Sequence, residues 1–362
     1  MTETKSLTPI KTIDDLRYYL TQAMALEHAT IPPYITALYS LKPGTNLEAF
    51  HIIRAVAVEE MLHLTLVANI FNAVGGNIKG VLTAKDFIPV YPTYLPTGET
   101  DFQVGLNKFS PETIKTFINI ERTEEEVDES KPLIVSEPGK SKVVKIQGDE
   151  SKSFYSIGLF YAEIIRALYQ LHKEMGSALF CGDPARQITP AYYYNGGGDI
   201  IPVTDLRSAI RALKVIQEQG EGARLGTIYD AERELGHYYR FQQLELGQYY
   251  VVDKDEPEQS DEPGSPSGAS FTVAWDDVYP LIENAKLSDY PEGSEVYNAA
   301  REFQAAYSQF LADIEFAFDG NPDRLIPAVG GMFRLKEQAS ALIRNPIPGG
   351  NGLHAAPIFR LD

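Results

Sequence analysis

The chain has a single cysteine, Cys181, in 362 residues. A lone thiol excludes an internal disulfide and leaves no basis for a thiolate-held metal cluster. Basic residues are also scarce: 32 Lys and Arg stand against 50 Asp and Glu, a net charge of -18. That balance argues against nucleic acid and anionic membrane as partners, since both require basic patches. No apolar stretch reaches the roughly 18 residues of a membrane span. The opening residues, Met1 to Ser6, lack the basic and then apolar succession of a secretory signal. A cytoplasmic location is therefore expected. The length allows one large domain or two smaller ones, either with a substantial core.

Helical periodicity dominates what is present. It runs from Asp14 to Tyr39, crossed by Pro32-Pro33, which predicts a kink just after Glu27. A second helix is expected from Leu47 to Val74, stopped by Gly75-Gly76. Residues 77–110, rich in Pro, Tyr and Gly, read as a long ordered loop, after which Ser110-Pro111-Glu112 opens a short helix. Residues 121–150 mix charges of both signs with few large apolar residues and read as an exposed insertion. A third long helix is expected over Phe154 to Leu179, a turn or short hairpin at 192–198, and further helices over 205–219 and Ile228 to Tyr249. The acidic, Pro/Ser/Gly-rich segment 253–268 reads as a surface linker. Helical patterns return at Ser294–Phe318 and Ile326–Ile343. The expectation is an all-α protein. Residues 1–252 form a four-helix bundle with insertions at 77–110 and 121–150, and 269–362 form a helical extension packed on the same domain.

Two tetrapeptides carry the chemistry, Glu60-Met-Leu-His63 and Glu234-Leu-Gly-His237. A Glu and a His three residues apart share one helix face. Two such pairs, each preceded by a helix with an inward Glu, supply the ligands of a carboxylate-bridged dimetal site. The chain offers Glu27, Glu60/His63, Glu163 and Glu234/His237 in that order. Glu60 and His63 fall on the apolar stripe Ile53, Val56, Val67, Ile70, and Glu27 on the stripe Leu16, Leu20, Ala23, Ile31. Glu163 sits at the edge of its stripe. A third match, Glu48 and His51, is turned by roughly 120° from Glu60 on the same helix and reads as a solvated face. Glu59, about 100° off the stripe, is expected to be exposed. Asp230 reads as a helix N-cap or as a group orienting a ligand, and Tyr34, Tyr161 and Tyr238, near the cluster, read as packing residues or as groups that bond a ligand or relay electrons. Four inward carboxylates are prohibitive without compensation. No Lys or Arg shares the inward stripes around Glu27, Glu60 or Glu234, whereas two divalent cations bring the group near neutrality. A thiolate-free donor set of carboxylates and imidazoles suits two Fe ions, with Mn also compatible.

The segments bearing these residues resemble a known family. Glu27-His-Ala-Thr-Ile-Pro-Pro-Tyr34, Glu59-Glu-Met-Leu-His-Leu64, Ser156-Ile-Gly-Leu-Phe-Tyr161 and Glu234-Leu-Gly-His-Tyr-Tyr-Arg-Phe241 are similar to the ferritin-like domain of the iminophenyl-pyruvate dimer synthases. Those enzymes belong to violacein-, rebeccamycin- and staurosporine-type biosynthesis. The likeness runs from about Ile13 to Phe359. It implies a ferritin-like bundle with iron-dependent oxidation and carries over Glu27, Glu60, His63, Glu234 and His237 as ligands. The family pattern places a Glu after Ile157-Gly158, where this chain has Leu159.

The function expected is a dimetal-carboxylate oxidoreductase that activates O2 to oxidise a small organic substrate, for which the resemblance implies an amino-acid-derived one. Loops 77–110 and 181–203 are the expected walls of its pocket. Two other readings fit the same ligands: ferroxidase or iron storage, and a non-catalytic scaffold braced by metal. Helix faces of such bundles also allow a homodimer.

Overall fold

The computed structural model describes residues 9–95, 102–122, 134–137, 140–145, 157–221, 228–230, 232, 234–253 and 260–361. Its spine is a pair of helices, α1 (Ile13–Ser40) and α2 (Leu47–Ala73). They run antiparallel: Arg17 Nε donates to the Val74 carbonyl at 2.9 Å, and Thr30 reaches Glu60 further along. α1 starts at a capping box, in which the Thr12 hydroxyl accepts from Asp15 N and the Asp15 carboxylate from Thr12 N. It then continues through Pro32 and Pro33. Pro33 has no N–H for the Ala29 carbonyl four residues back. The Tyr91 hydroxyl donates to that carbonyl instead, at 2.7 Å. A residue of the long loop thus fills the gap that a proline opens in the helix beside the site.

The bundle is completed by α3 (Pro111–Ile120), α4 (Ile157–Met175), α5 (Leu206–Glu221) and α6 (His237–Leu246). α4 packs on α1 and α5, α5 on α2, and α6 on α3 and α2. Tyr34, Phe117 and Phe241 fill the junction of α1, α3 and α6, with ring centroids 4.6 to 5.3 Å apart. Ser110 caps α3 as expected, its hydroxyl accepting from Thr113 N at 3.1 Å. The loop that follows α4 is clasped to α2 by Asn69. Its amide donates to the Ile188 and Ile201 carbonyls and accepts from Ile188 N. Gly182 lies so close to α2 that a Cβ there would stand 1.8 Å from the Asn72 carbonyl oxygen.

The C-terminal helices α7 (Glu295–Phe318), α8 (Leu325–Val329) and α9 (Gly331–Ile343) lie against this bundle. The Glu315 carboxylate accepts from Gly80 N and Thr83 N, and the Phe318 carbonyl accepts from the Asn72 amide. The all-α architecture is as expected. Among the described residues it carries one addition, an antiparallel pair of strands, β1 (Ile134–Glu137) and β2 (Lys140–Lys145), inside the expected insertion. No described helix is long and apolar enough to cross a membrane.

Several boundaries differ from expectation. The last turn of the third long helix is a 3-10 turn, Gly176–Leu179, and Phe154 to Ser156 lie outside the described residues. The helix expected over Ile326–Ile343 breaks at Gly330 into two. The helix expected from Ile228 begins only at His237. Asp230 is not its N-cap: the Asp230 side chain accepts from Glu234 N at 2.8 Å, while Asp230 N donates to the Glu234 carbonyl. That local turn competes with helix and postpones it to Gly236, whose backbone is extended.

Candidate metal centre

α1 and α2 bring Glu27, Glu60 and His63 together in the core, and α6 adds His237. The third carboxylate is Glu121, the residue that caps the C-terminus of α3. Two groups of potential ligand atoms result, Glu27/Glu60/His63 and Glu60/Glu121/His237, each within 4.8 Å. Glu60 belongs to both. The two imidazoles lie 5.6 Å apart with rings 23° from parallel.

Each carboxylate has one oxygen turned to the centre and the other held by a hydroxyl. Tyr161 donates to Glu27 Oε1, whose Oε2 lies 3.2 Å from His63 Nδ1. Thr30 donates to Glu60 Oε2 at 3.1 Å, and Oε1 lies 3.1 Å from His237 Nδ1. Tyr34 donates to Glu121 Oε1 at 2.5 Å, and Oε2 lies 3.5 Å from His237 Nδ1. Of the three tyrosines, Tyr34 and Tyr161 thus fix carboxylate oxygens, whereas Tyr238 bonds Gln242.

The histidines are oriented from behind. The Gln219 amide donates to the Gly197 carbonyl, which fixes its flip and points Oε1 at His63 Nε2, 2.8 Å away. Gly197 has a φ of +78° and sits on α2, where a Cβ would meet the Val58 carbonyl at 2.8 Å. His237 Nε2 lies 2.7 Å from Glu59, which also binds Arg240 at 2.9 Å. Glu59 is therefore not a solvated residue but the carboxylate that orients His237. With both Nε2 atoms donating outward, each Nδ1 is left facing carboxylates, where a proton or a metal cation can sit between them. His237 Nδ1 is buried and makes no well-aligned hydrogen bond, its neighbours being carboxylate oxygens of Glu60 at 3.1 Å and Glu121 at 3.5 Å. A proton or a metal cation is what such a gap can hold, so the donor set fits a bound metal.

The charge states agree. Burial pushes Glu27 up to about 7 against the opposing hydrogen bond from His63. Burial would also raise Glu60, but its hydrogen bonds and charge interactions with His237 and His63 outweigh that and hold it below the ordinary carboxylate range. Burial disfavours a charged His63, yet Glu27 and Glu60 raise it to about 10. His237 is raised in the same way by Glu121, Glu59 and Glu60. Both imidazoles sit in a field that attracts positive charge.

Two expected ligands stand elsewhere. Glu163 is buried but turned away from the centre: Arg166 grips it through Nε and Nη2 at 2.6 Å each, and Ile10 N donates to it at 2.9 Å. Its place on α4 at the stripe edge directs it to the chain's N-terminal segment, while Tyr161 faces Glu27. Glu234 is exposed and precedes α6, so it and His237 do not share a helix face. Its neighbours Asp230 and Glu232 line with it a cleft of about 520 Å³, reached also by Glu59, Gln219, Arg211 and Lys214. Gly197, Gly198, Asp199 and Ile201, from the segment 181–203, wall this cleft. The loop 77–110 instead contributes Pro89, Val90, Tyr91 and Leu106 to a separate cavity. Sequence reasoning missed Glu121 by assigning it to the exposed insertion. Its signal was present, for Ile114, Phe117 and Glu121 share one face of α3. His51 is exposed, as expected.

Comparison with known proteins now adds to this geometry. The ferritin-like family matches residues 20–246. The chain belongs to the ferritin-like family. It is 24% identical over 407 aligned residues to dichlorochromopyrrolate synthase of Lentzea aerocolonigenes, a match spanning 99% of this chain and 37% of that enzyme. The chain thus spans little more than a third of that relative's length. A crystal structure of a ferritin-like protein from Caulobacter vibrioides superposes with a TM-score of 0.61 at 21% identity, covering 97% of this chain and all of that one. These findings bear out the resemblance carried by the ligand-bearing segments. The ferritin-like bundle here contains buried Glu/His clusters of metal-ligating type.

Proposed function

We propose that this ferritin-like protein is a dimetal oxidase, with iron as the metal, that uses O2 to oxidise a small organic substrate. One observation carries the reading. Two imidazole Nδ1 atoms, each fixed by a partner behind it, face three buried carboxylates that share Glu60. Glu27, Glu60, His63, Glu121 and His237 would hold the metals, with Glu60 common to both. Two iron ions in such a site supply electrons and open coordination positions for oxygen. Tyr161, Thr30 and Tyr34 hold the outer carboxylate oxygens, which limits how far each ligand swings. Glu59 and Gln219 fix the imidazole tautomers. These two also line the 520 Å³ cleft, so a substrate lodged there lies one side chain from the histidines. The synthase relative favours a biosynthetic oxidation over iron storage.

The test is elemental analysis after anaerobic loading with ferrous iron, followed by exposure to air. About two iron atoms per chain and a new near-ultraviolet absorption on oxygenation are expected. Both should vanish in Glu60→Ala/His63→Ala. Iron retained equally by that variant, or none bound by the wild type, would overturn the proposal.

A further inference from the structure

A second cavity, of about 320 Å³, opens where the end of α1, the α1–α2 turn and α9 meet. Its walls are apolar, formed by Leu38, Leu41, Phe50 and Ile343, while Lys42, Lys336 and Arg344 supply positive charge. No Asp or Glu lines it. Lys336 and Ser340 on α9 and Arg344 at its C-cap recur every four residues and so lie on one side of that helix. In a chain with 50 acidic residues against 32 basic ones, cations have carboxylates in plenty. Yet these three form no ion pair among the described residues. Like charges around one cavity repel, and the cost is relieved when an anion enters. A merely solvated set of lysines would not account for the apolar side of the site. Leu47 lies at the same cavity and remains 56% exposed, so apolar surface is left wet beside the cations. Burial pushes the Tyr39 phenol up to about 12, which keeps it a hydrogen-bond donor at neutral pH.

We propose that this cavity binds a small organic carboxylate with an apolar body. The carboxylate pairs with Lys42, Lys336 and Arg344, and the apolar body packs on Leu38, Leu41, Phe50 and Ile343. Arg344 is suited to a two-pronged carboxylate contact. The volume lies at the small end for ligand pockets, which favours a medium-chain alkyl or single-ring aryl acid. Leu38 is about 16 Å from Glu27 along α1 at 1.5 Å rise per residue, so the site is separate from the metal centre and does not rest on it.

The experiment is titration calorimetry of the full chain with octanoate, alongside 1-octanol and inorganic phosphate. Octanoate should bind saturably, one per chain, with a Kd below about 1 mM. Lys336→Ala/Arg344→Ala should weaken it at least tenfold; both positions are exposed, and circular dichroism verifies that the fold is kept. Glu60→Ala/His63→Ala should leave octanoate binding unchanged, which separates this site from the metal centre. Absence of saturable binding, equal affinity in the α9 variant, or loss in the Glu60 variant would overturn the proposal. Equal affinity for 1-octanol would do so too, by showing a greasy groove, and so would equal affinity for phosphate, by showing a general anion site.

Discussion

Glu121 and Glu163 are both buried carboxylates, and what each faces separates their roles. Glu121 points at His237 and is held by Tyr34. Glu163 closes on Arg166. Glu121→Ala is therefore expected to lower iron content under limiting metal, with little change in Glu163→Ala. Glu163→Ala should instead cost about 2 kcal/mol of stability through loss of a charged hydrogen-bonded pair between a buried carboxylate and the half-buried Arg166, measured by chemical denaturation. The opposite pattern would restore Glu163 as the ligand. Gln219→Leu removes the group that orients His63 and should weaken metal binding by roughly 10- to 100-fold, since partners behind metal-bound histidines act at that scale. Helical spacing alone exposes such carboxylates but does not rank them. Glu163 has an arginine one turn away in its own helix, and that proximity is the sequence clue that removes it from the set.

At the scale of elements, α1 shows how a loop completes a helix. Tyr91→Phe strips the Ala29 carbonyl of its donor next to Pro33 and should destabilise the fold by ~1 kcal/mol, read as a lower denaturation midpoint. An unchanged midpoint would mean that water serves the carbonyl equally well. α1 runs as one helix from Ile13 to Ser40 through both prolines, with a tertiary hydrogen bond serving the Ala29 carbonyl. α6 shows the reverse. The Ile228–Tyr249 pattern looks helical throughout, but the Asp230 side chain offers Glu234 N a turn instead. The cost to the motif is that Glu234 leaves the face of His237 and joins the mouth of the cleft.

Across the whole molecule, phenols buried within the core set the alkaline limit of stability. Burial raises Tyr39 to about 12 and lifts Tyr19, Tyr34, Tyr91, Tyr161, Tyr193, Tyr290 and Tyr307 further above the ordinary value near 10. Above pH 10 the unfolded chain loses these protons while the folded one keeps them. The folded state then binds more protons, so stability falls as pH rises. A lower denaturant midpoint at pH 11 than at pH 9 is expected. An unchanged midpoint would mean that these phenols already ionise in the folded protein. If metal binds the folded state alone, ferrous iron should also raise Tm in proportion to the logarithm of its concentration, an effect absent in Glu60→Ala/His63→Ala.

The sequence by itself determined the all-α class, the long helices and the inward placement of Glu27, Glu60 and His63, because a regular apolar stripe fixes which face of a helix is buried. His237 was legible for the same reason, as was the ferritin-like resemblance of the segments around these residues. Only the tertiary structure decided the rest. Glu121 lies at the end of a short helix, where three residues of stripe give weak evidence, and it reaches the centre because α3 packs on α6. Glu59, Gln219, Tyr34 and Tyr161 act through contacts between residues far apart in the chain. Periodicity reports which side of an element faces inward, whereas which inward groups meet depends on how the elements pack.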